Sequence, residues 1–515
     1  MRFKKVLSFA LALTLSFGAM QFMGSAYAKE KDKPADYSGL GLEEFTCITY
    51  EKETKTLKLH GTIIPEELAH FNHYNKVEKV VTEEGTIFPE DCSFLFYEFK
   101  NATSIDLTGA DTSKVTDMYD LFCNCEKAET INLGEIDTSN VTRMDLMFNN
   151  CYKLKSIKGL DKLDTSNVTN MRGMFNSNRS LSDDYLDNFY LNSFNTSKVT
   201  DMSYMFSGCE KIRAASVICN ESFDVSNVKD MRGMFQGCKS LEWVQFGYNW
   251  DTSRVTNMAS MFADCESLER IDFVNTFVHT TDGFITEDLI DVKIDTSNVT
   301  SFENMFLNCK KLKQLSLPFT ADNANNTSGM FMNCEGLDWI DLMDFIPSKS
   351  LSSTSNMFSG CTNLNSIFVG KGWPDNFNQT VIFADNMFLD CTSLKGGNGT
   401  TYNAKNIGPQ YAKIDKAGNP GYLTAIEPII PLPSGSELGD ANCDGTIDAT
   451  DASEILSMYT KNTLNKTTPS SAELARCDVN NDGKINSVDA SYVLSYYAYK
   501  QTGGTDSFVD YMANH

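Results

Sequence analysis

Apolar positions recur along most of this chain in a fixed order. In one copy Val199, Met202, Phe206 and Cys209 are spaced 3, 4 and 3 apart, which predicts a short helix with all four on one face. Thr200 can cap such a helix, and Asp201 complements its dipole. A later copy reads Leu268, Ile271 and Phe273 with Glu269, Arg270 and Asp272 between them, and this alternation predicts a short strand with one buried face. The Phe returns at Phe122, Phe148, Phe175, Phe206, Phe235, Phe262, Phe306, Phe331, Phe358 and Phe388, mostly 25 to 31 residues apart. The step from Phe262 to Phe306 is longer by an insertion, and a weaker early copy centres on Phe96. Upstream of the Phe, Asp-Thr-Ser-x-Val-Thr starts at Asp111, Asp137, Asp164, Asp251 and Asp295, with variants from Asn195 and Asp224. So short a unit cannot bury its own apolar side, so the copies must stack. The expected architecture is an α/β solenoid with a short strand and a short helix in each turn.

Nine cysteines (Cys125, Cys151, Cys209, Cys238, Cys265, Cys309, Cys334, Cys361 and Cys391) stand three residues after the repeated Phe. Equivalent positions should stack in a core-facing ladder where Cys acts as a small hydrophobe, with disulfide bridging or metal binding as the alternatives. Cys47, Cys92, Cys123, Cys219, Cys443 and Cys477 lie outside the ladder, and their pairing is open.

Taken together, the Leu-x-x-Ile-x-Phe strand text, the Asp-Thr-Ser-Asn-Val-Thr-x-Met turn and Met-Phe-x-x-Cys resemble the BspA-like leucine-rich-repeat surface proteins. The resemblance covers roughly residues 45 to 425 and implies a leucine-rich-repeat-like solenoid. Tyr411 to Asp415 and Asn419 to Tyr422 are similar to the segment that often closes such arrays. Residues 47 to 64 alternate like a hairpin and are expected to cap the N-terminal end. The copy at Phe175 departs from the pattern with Asn178 at the Cys position, and the last copy has Lys395-Gly396-Gly397 in place of a strand.

The pattern changes after residue 425. Residues 426 to 437 are a Pro/Ser/Gly linker, expected to be extended and semi-rigid. Asp440, Asn442, Asp444, Thr446, Asp448 and Asp451 then occupy positions 1, 3, 5, 7, 9 and 12 of a calcium loop of EF-hand type, with Gly445 at the turn. The same text returns 38 residues later as Asp478, Asn480, Asp482, Lys484, Asn486 and Asp489, with Gly483 at the turn. Position 7 contributes its backbone carbonyl. Hard oxygen donors crowded in this spacing predict Ca²⁺, two ions in all, since the carboxylates would repel without a cation.

Position 12 is Asp rather than the EF-hand Glu, and no helix precedes either loop. Both features resemble a type I dockerin of cellulosomal proteins, over residues 438 to 501. The resemblance implies a small all-α module that binds the cohesin domain of a scaffoldin. Carried over, the contact positions are Ala449, Thr450, Leu456, Ser457 and Lys461 in one copy, and Ser487, Val488, Leu494, Ser495 and Tyr499 in the other. Thr450 faces Val488 and Lys461 faces Tyr499 in that alignment, so the two copies are not equivalent.

The N-terminus bears on compartment. Arg2, Lys4 and Lys5 precede an apolar run from Val6 to Phe22, and Ala26-Tyr27-Ala28 ends it, which predicts a signal peptide over residues 1–28 cut after Ala28. The expected order is then a cap region over 29–85, the solenoid over 86–425, the linker, the dockerin over 438–501 and a tail over 502–515. No membrane insertion is expected, and the protein is expected to be secreted.

With 44 Lys+Arg against 68 Asp+Glu the formal charge is −24, which argues against nucleic acid as a partner. The five His residues are scattered, and no catalytic constellation emerges. The expected function is therefore that of a non-catalytic cellulosome-associated protein whose solenoid is a protein-recognition or adhesion surface. A plant cell wall polysaccharide-binding array is one alternative. The other is a polysaccharide-degrading enzyme hidden in the insertion between Asp272 and Val292, where Glu287, Asp288 and Asp291 are ordinary loop acids. Recognition is expected on the open strand row. Its residues are Trp243, Arg270, Gln314, Trp339 and Ser366, with Gln245, Asp272, Ser316, Asp341 and Phe368 two places on.

Overall fold

The computed structural model divides the chain into two units, residues 1–426 and 427–515. It describes residues 45–426 and 438–512, without 72, 183–192, 216–222, 247–249, 273, 282–283, 292–293, 371, 376, 378–380, 443–445, 466–475, 481–483 and 509–510. The expected signal peptide, the linker from 427 onward, Cys219, Cys443, Asp444 and Asp482 therefore lie outside the described residues.

The first unit opens with the expected hairpin. β1 (Ile48–Glu51) pairs antiparallel with β2 (Thr56–Leu59). Helix α1 (Pro65–His70) follows, and its buried Glu67 accepts hydrogen bonds from the Thr46 and Cys47 backbone N–H groups at 2.7 and 3.0 Å. The strands β3 (Lys79–Thr82), β4 (Thr86–Ile87), β5 (Ser104–Asp106), β6 (Ala110–Asp111), β7 (Thr130–Asn132) and β8 (Ser156–Lys158) come next. One sheet runs β1-β2-β3-β5-β7-β8, parallel from β2 onward, while β4 and β6 pair alongside it. A second sheet orders β9 (Ala214–Ala215), β10 (Trp243–Gln245) and β11 (Arg270–Asp272) in parallel. The insertion is an antiparallel hairpin, β12 (Val274–Thr281) with β13 (Phe284–Asp291). Beyond it β14 (Gln314–Ser316), β15 (Trp339–Leu342), β16 (Ser366–Gly370) and β17 (Leu423–Ile426) form a parallel sheet. This is a solenoid, as the repeat requires.

The segment expected to be a short helix is not one. Around Phe235 the backbone N–H groups of Met231, Gly233, Phe235 and Gly237 reach forward to the carbonyls of Asn257, Ala259, Met261 and Ala263 in the next coil, at 3.0, 2.8, 2.9 and 2.8 Å. The intervening Met234, Gln236 and Cys238 close three-residue turns onto Met231, Gly233 and Phe235. Every second donor thus serves the stack and every other one a local turn. Such alternation needs left-handed residues two places before and two places after each Phe. Gly233 (φ +60°) and Gly237 (φ +72°) fill those places here, as Asn304 (φ +55°) and Asn308 (φ +60°) do around Phe306. Gly and Asn are the residues that enter this region at low cost. Thr200 accordingly caps nothing: its hydroxyl donates to the Thr169 carbonyl, and Asp201 accepts from the Ser203 N–H.

Inside, Phe96, Phe122, Phe148, Phe175, Phe206, Phe235, Phe262, Phe306, Phe331, Phe358 and Phe388 form one unbroken pile. Successive centroids lie 5.4–5.7 Å apart with planes within 12°. The inserted hairpin leaves this spacing alone, since Phe262 and Phe306 stack at 5.6 Å and 9°. Tyr422 meets Phe388 edge-on at 5.2 Å and 76°, and β17 supplies beside β16 the strand that the last copy lacks.

The Asp-Thr-Ser text now has its reason. The Asp137 carboxylate accepts the Ser139 N–H, and the buried Thr138 hydroxyl donates to the Asp164 carbonyl of the next coil.

The ladder cysteines are buried free thiols, as expected, but they are more than small hydrophobes. Each Sγ donates to the Phe carbonyl of the preceding coil, as Cys265 does to Phe235 at 3.1 Å and Cys309 to Phe262 at 3.2 Å. Asn178 takes the same role with its amide, donating to Phe148 at 3.1 Å. Burial pushes the Cys209 thiol up to about 12 from the ordinary 9.0. Above pH 9 an unfolded chain therefore sheds this proton while the native chain keeps it, and that contribution to stability falls as pH rises. The stability gap between the parent and Cys209→Ala should narrow by about 1.4 kcal/mol per pH unit between roughly pH 9 and 12. Denaturant titrations across that range check it, and a constant gap would contradict the buried thiol.

Candidate functional site

The second unit carries two loop–helix copies. Helix α2 spans Ala449–Asn465 and α3 spans Ser487–Gln501. In the first loop, position 12 is Asp451, which is fully buried. Its two oxygens accept the backbone N–H groups of Asn442 at 3.2 Å and Asp448 at 2.9 Å, which ties loop positions 3 and 9 to the start of the helix. The second loop repeats this closure: Asp489 accepts from Asn480 at 3.4 Å and Asn486 at 2.9 Å. Asn486 also caps α3 through the Val488 N–H. Asp448 does the same for Thr450 in the first copy. The Asp at position 12 thus closes its loop through the loop's own backbone in both copies.

Burial drives the Asp451 carboxyl above its ordinary value, the backbone donors oppose the rise, and the nearby charge of Asp440 adds to it. Asp440 is 1% exposed and Asp478 8%. Acidic side chains sequestered together in this way fit a hard divalent cation, which would reverse that rise. Among the described residues no three acidic, His or Cys side chains form a metal-binding group, but position 5 of each loop, Asp444 or Asp482, lies outside them. Asp440, Asn442, Asp448 and Asp451 would hold one Ca²⁺ with the Thr446 carbonyl, and Asp478, Asn480, Asn486 and Asp489 the other with that of Lys484.

The positions that the dockerin resemblance assigns to cohesin contact are displayed unequally. Ala449, Thr450, Leu456, Ser457 and Lys461 are all exposed. Ser487, Val488, Leu494 and Ser495 are exposed as well, but Tyr499 is half-buried. Tyr459, unnoticed in the sequence, adds an exposed ring to α2.

On the solenoid, parallel pairing sets Trp243 beside Arg270, and Gln314 beside Trp339 beside Ser366. Trp243, Arg270 and Gln314 share a surface depression of about 550 Å³ whose other walls are Glu242, Glu269 and Lys313. Those three could have been found by counting one place back along each strand. Trp243, Trp339 and Ser366 are half-buried, while Arg270 and Gln314 are exposed. Two places on, Gln245 pairs with Asp272, and Asp341 with Ser316 and Phe368. The Phe368 ring meets Trp339 edge-on at 6.3 Å. The structure therefore brings Trp243, Arg270 and Gln314 together and sets Trp339 in a second aromatic group with Phe368. Among the described residues no helix is long and apolar enough to cross a membrane.

Similarity to known proteins follows this division. A type I dockerin domain matches residues 438–496, and such a domain implies binding of a cohesin and of calcium. Residues 90–216, 185–276 and 271–402 match the family described as Mycoplasma protein of unknown function, DUF285. Among curated proteins none matches. Similar solved structures include a leucine rich cell surface protein from Faecalibacterium prausnitzii A2-165, 15% identical over 65% of this chain and 95% of that one, with a TM-score of 0.29. Another is a leucine-rich repeat protein from Eubacterium ventriosum, 14% identical over 67% and 90%, with a TM-score of 0.26. A T. pallidum leucine rich repeat protein is 16% identical over 44% and 77%, with a TM-score of 0.22. Because its three matched stretches together span more than half of the chain, the protein belongs to the DUF285 family, and it carries a type I dockerin domain behind the repeats.

Proposed function

We propose that this is a secreted, non-catalytic component of a cellulosome-type complex. Its dockerin holds two Ca²⁺ ions and docks to a scaffoldin cohesin, while the strand row of the solenoid recognises a protein ligand. The observation that carries the reading is the duplicated loop closure by Asp451 and Asp489 within the matched dockerin region. The signal-peptide text at residues 1–28 supports secretion. For the solenoid, the depression at Trp243, Arg270 and Gln314 combines an aromatic ring with Arg and flanking charges, the composition of interface hot spots.

One experiment tests both ends. The full chain and its Trp243→Ala, Trp339→Ala double variant are incubated with type I cohesin modules, and with secreted proteins and wall polysaccharides, each with calcium or with excess chelator. The parent should capture a cohesin only with calcium. The double variant should keep that capture and lose array ligands by about tenfold or more. Cohesin capture that persists in chelator would overturn the docking reading. Retention of polysaccharide alone would replace the protein ligand with a glycan.

A further inference from the structure

Residues beyond α3 pack back onto the helix. Gly504 donates its N–H to the Tyr499 carbonyl at 3.1 Å, and a Cβ on Gly504 would lie 2.2 Å from the Tyr499 ring, so the backbone there lies against that ring. The Tyr499 hydroxyl donates to an Asp506 carboxylate oxygen at 2.8 Å, and the Tyr496 hydroxyl donates to the Asp506 carbonyl at 3.1 Å. Tyr511 packs on both rings, at 5.0 Å from Tyr499 and 5.4 Å from Tyr496. Phe508 is 1% exposed, meets Tyr496 edge-on at 4.9 Å, and packs so closely on Gly439 that a Cβ there would lie 2.7 Å from its ring. The segment is thus anchored in the core of the module and reaches back to the residue before the first loop. In the first copy the position of Tyr499 belongs to Lys461, which is exposed beside Ser457, Leu456 (40% exposed) and Tyr459 (41% exposed).

We propose that Gly504 to Phe508, with Tyr511, fixes the direction of docking: these residues lock Tyr499 into the module itself, so a cohesin engages only the face of α2. This rests on the dockerin reading above. The chemistry of that face states what the partner must offer. Leu456 and Tyr459 need an apolar recess, and Lys461 needs a carboxylate at its edge. A rotated engagement would have to replace that cation with a tyrosine whose hydroxyl is already given to Asp506. It would also have to displace a segment held by the buried Phe508.

The test uses the full chain in excess calcium against a panel of recombinant type I cohesin modules. Calcium titration of every variant confirms that the module still forms. Leu456→Asp and Lys461→Glu should each weaken capture by at least about 30-fold, whereas Leu494→Asp should stay within about twofold of the parent. Equal losses from Leu456→Asp and Leu494→Asp, or no loss from either, would overturn the single direction. Asp506→Ala frees the Tyr499 hydroxyl and should return part of the capture to Leu456→Asp. No return would overturn the role given to the segment. Failure of the parent to bind any cohesin would instead remove the dockerin reading, a result distinct from equal use of both faces.

Discussion

Replacing Phe262 by Ala should lower the stability of the solenoid by about 3–5 kcal/mol. The ring is 1% exposed and lies between Phe235 at 5.7 Å and Phe306 at 5.6 Å, its plane nearly parallel to both. Its removal deletes two stacking contacts as well as the buried area of one aromatic side chain. It also leaves a cavity that the coils cannot close, because the backbone bonds of Phe262 to Met305 and of Phe235 to Met261 fix their spacing. In a one-dimensional array the loss falls on the interfaces with both neighbours, so the unfolding transition should broaden as well as shift. Ile382→Ala is the matched control: Ile382 is 75% exposed, and the change should stay within about 0.5 kcal/mol. Equal denaturation midpoints for the two variants would refute the assignment of the ring pile to the buried core.

Asp451→Ala should have the second large effect, confined to the C-terminal unit. The Asn442 and Asp448 N–H groups would lose this buried acceptor, at about 1–3 kcal/mol each. The proposed calcium site would lose a carboxylate in the same stroke, and binding energy there is folding energy. Thermal unfolding of the full chain should then show the transition of this unit lost or no longer moved by calcium, with the solenoid transition unchanged. A calcium isotherm identical to that of the parent would count against the loop assignment.

Much of this architecture was legible in the residues. The alternation around Ile271 found the strand, and counting from the ladder Cys put Trp243 and Arg270 in neighbouring register, as their pairing confirms. The helix was misread because a spacing of 3, 4 and 3 describes which residues share a face and not how the backbone gets there. A run of turns meets the same spacing, and its mark lay elsewhere, in the Gly, Asn and Asp enriched two places to either side of the Phe. Gly329 with Asn333, Asn356 with Gly360 and Asn386 with Asp390 carry it, all at positive φ. Phe94 and Leu146 hold the same conformation without being typical of it, which blurs the signal. The thiol donors were hidden for another reason, since burial of Cys says nothing about which carbonyl it meets. The hold on Tyr499 depends on Asp506, Phe508 and Tyr511, which fold back from beyond the repeated text and so had no second copy to reveal them.

Tyr422 has a consequence for how the molecule behaves in company. A repeat solenoid that ended on a flat Phe ring and an open parallel strand would offer the next molecule the same welcome that each coil offers its neighbour. Copies could then add head to tail into a filament without limit, because such a contact never closes on itself. Turning the last ring through 76° removes the flat face, and lending β17 to β16 from a distant stretch of chain occupies the strand edge. The last coil of the array is thereby covered by chain unlike the repeat, so its C-terminal end is not the template that each inner coil is for the next.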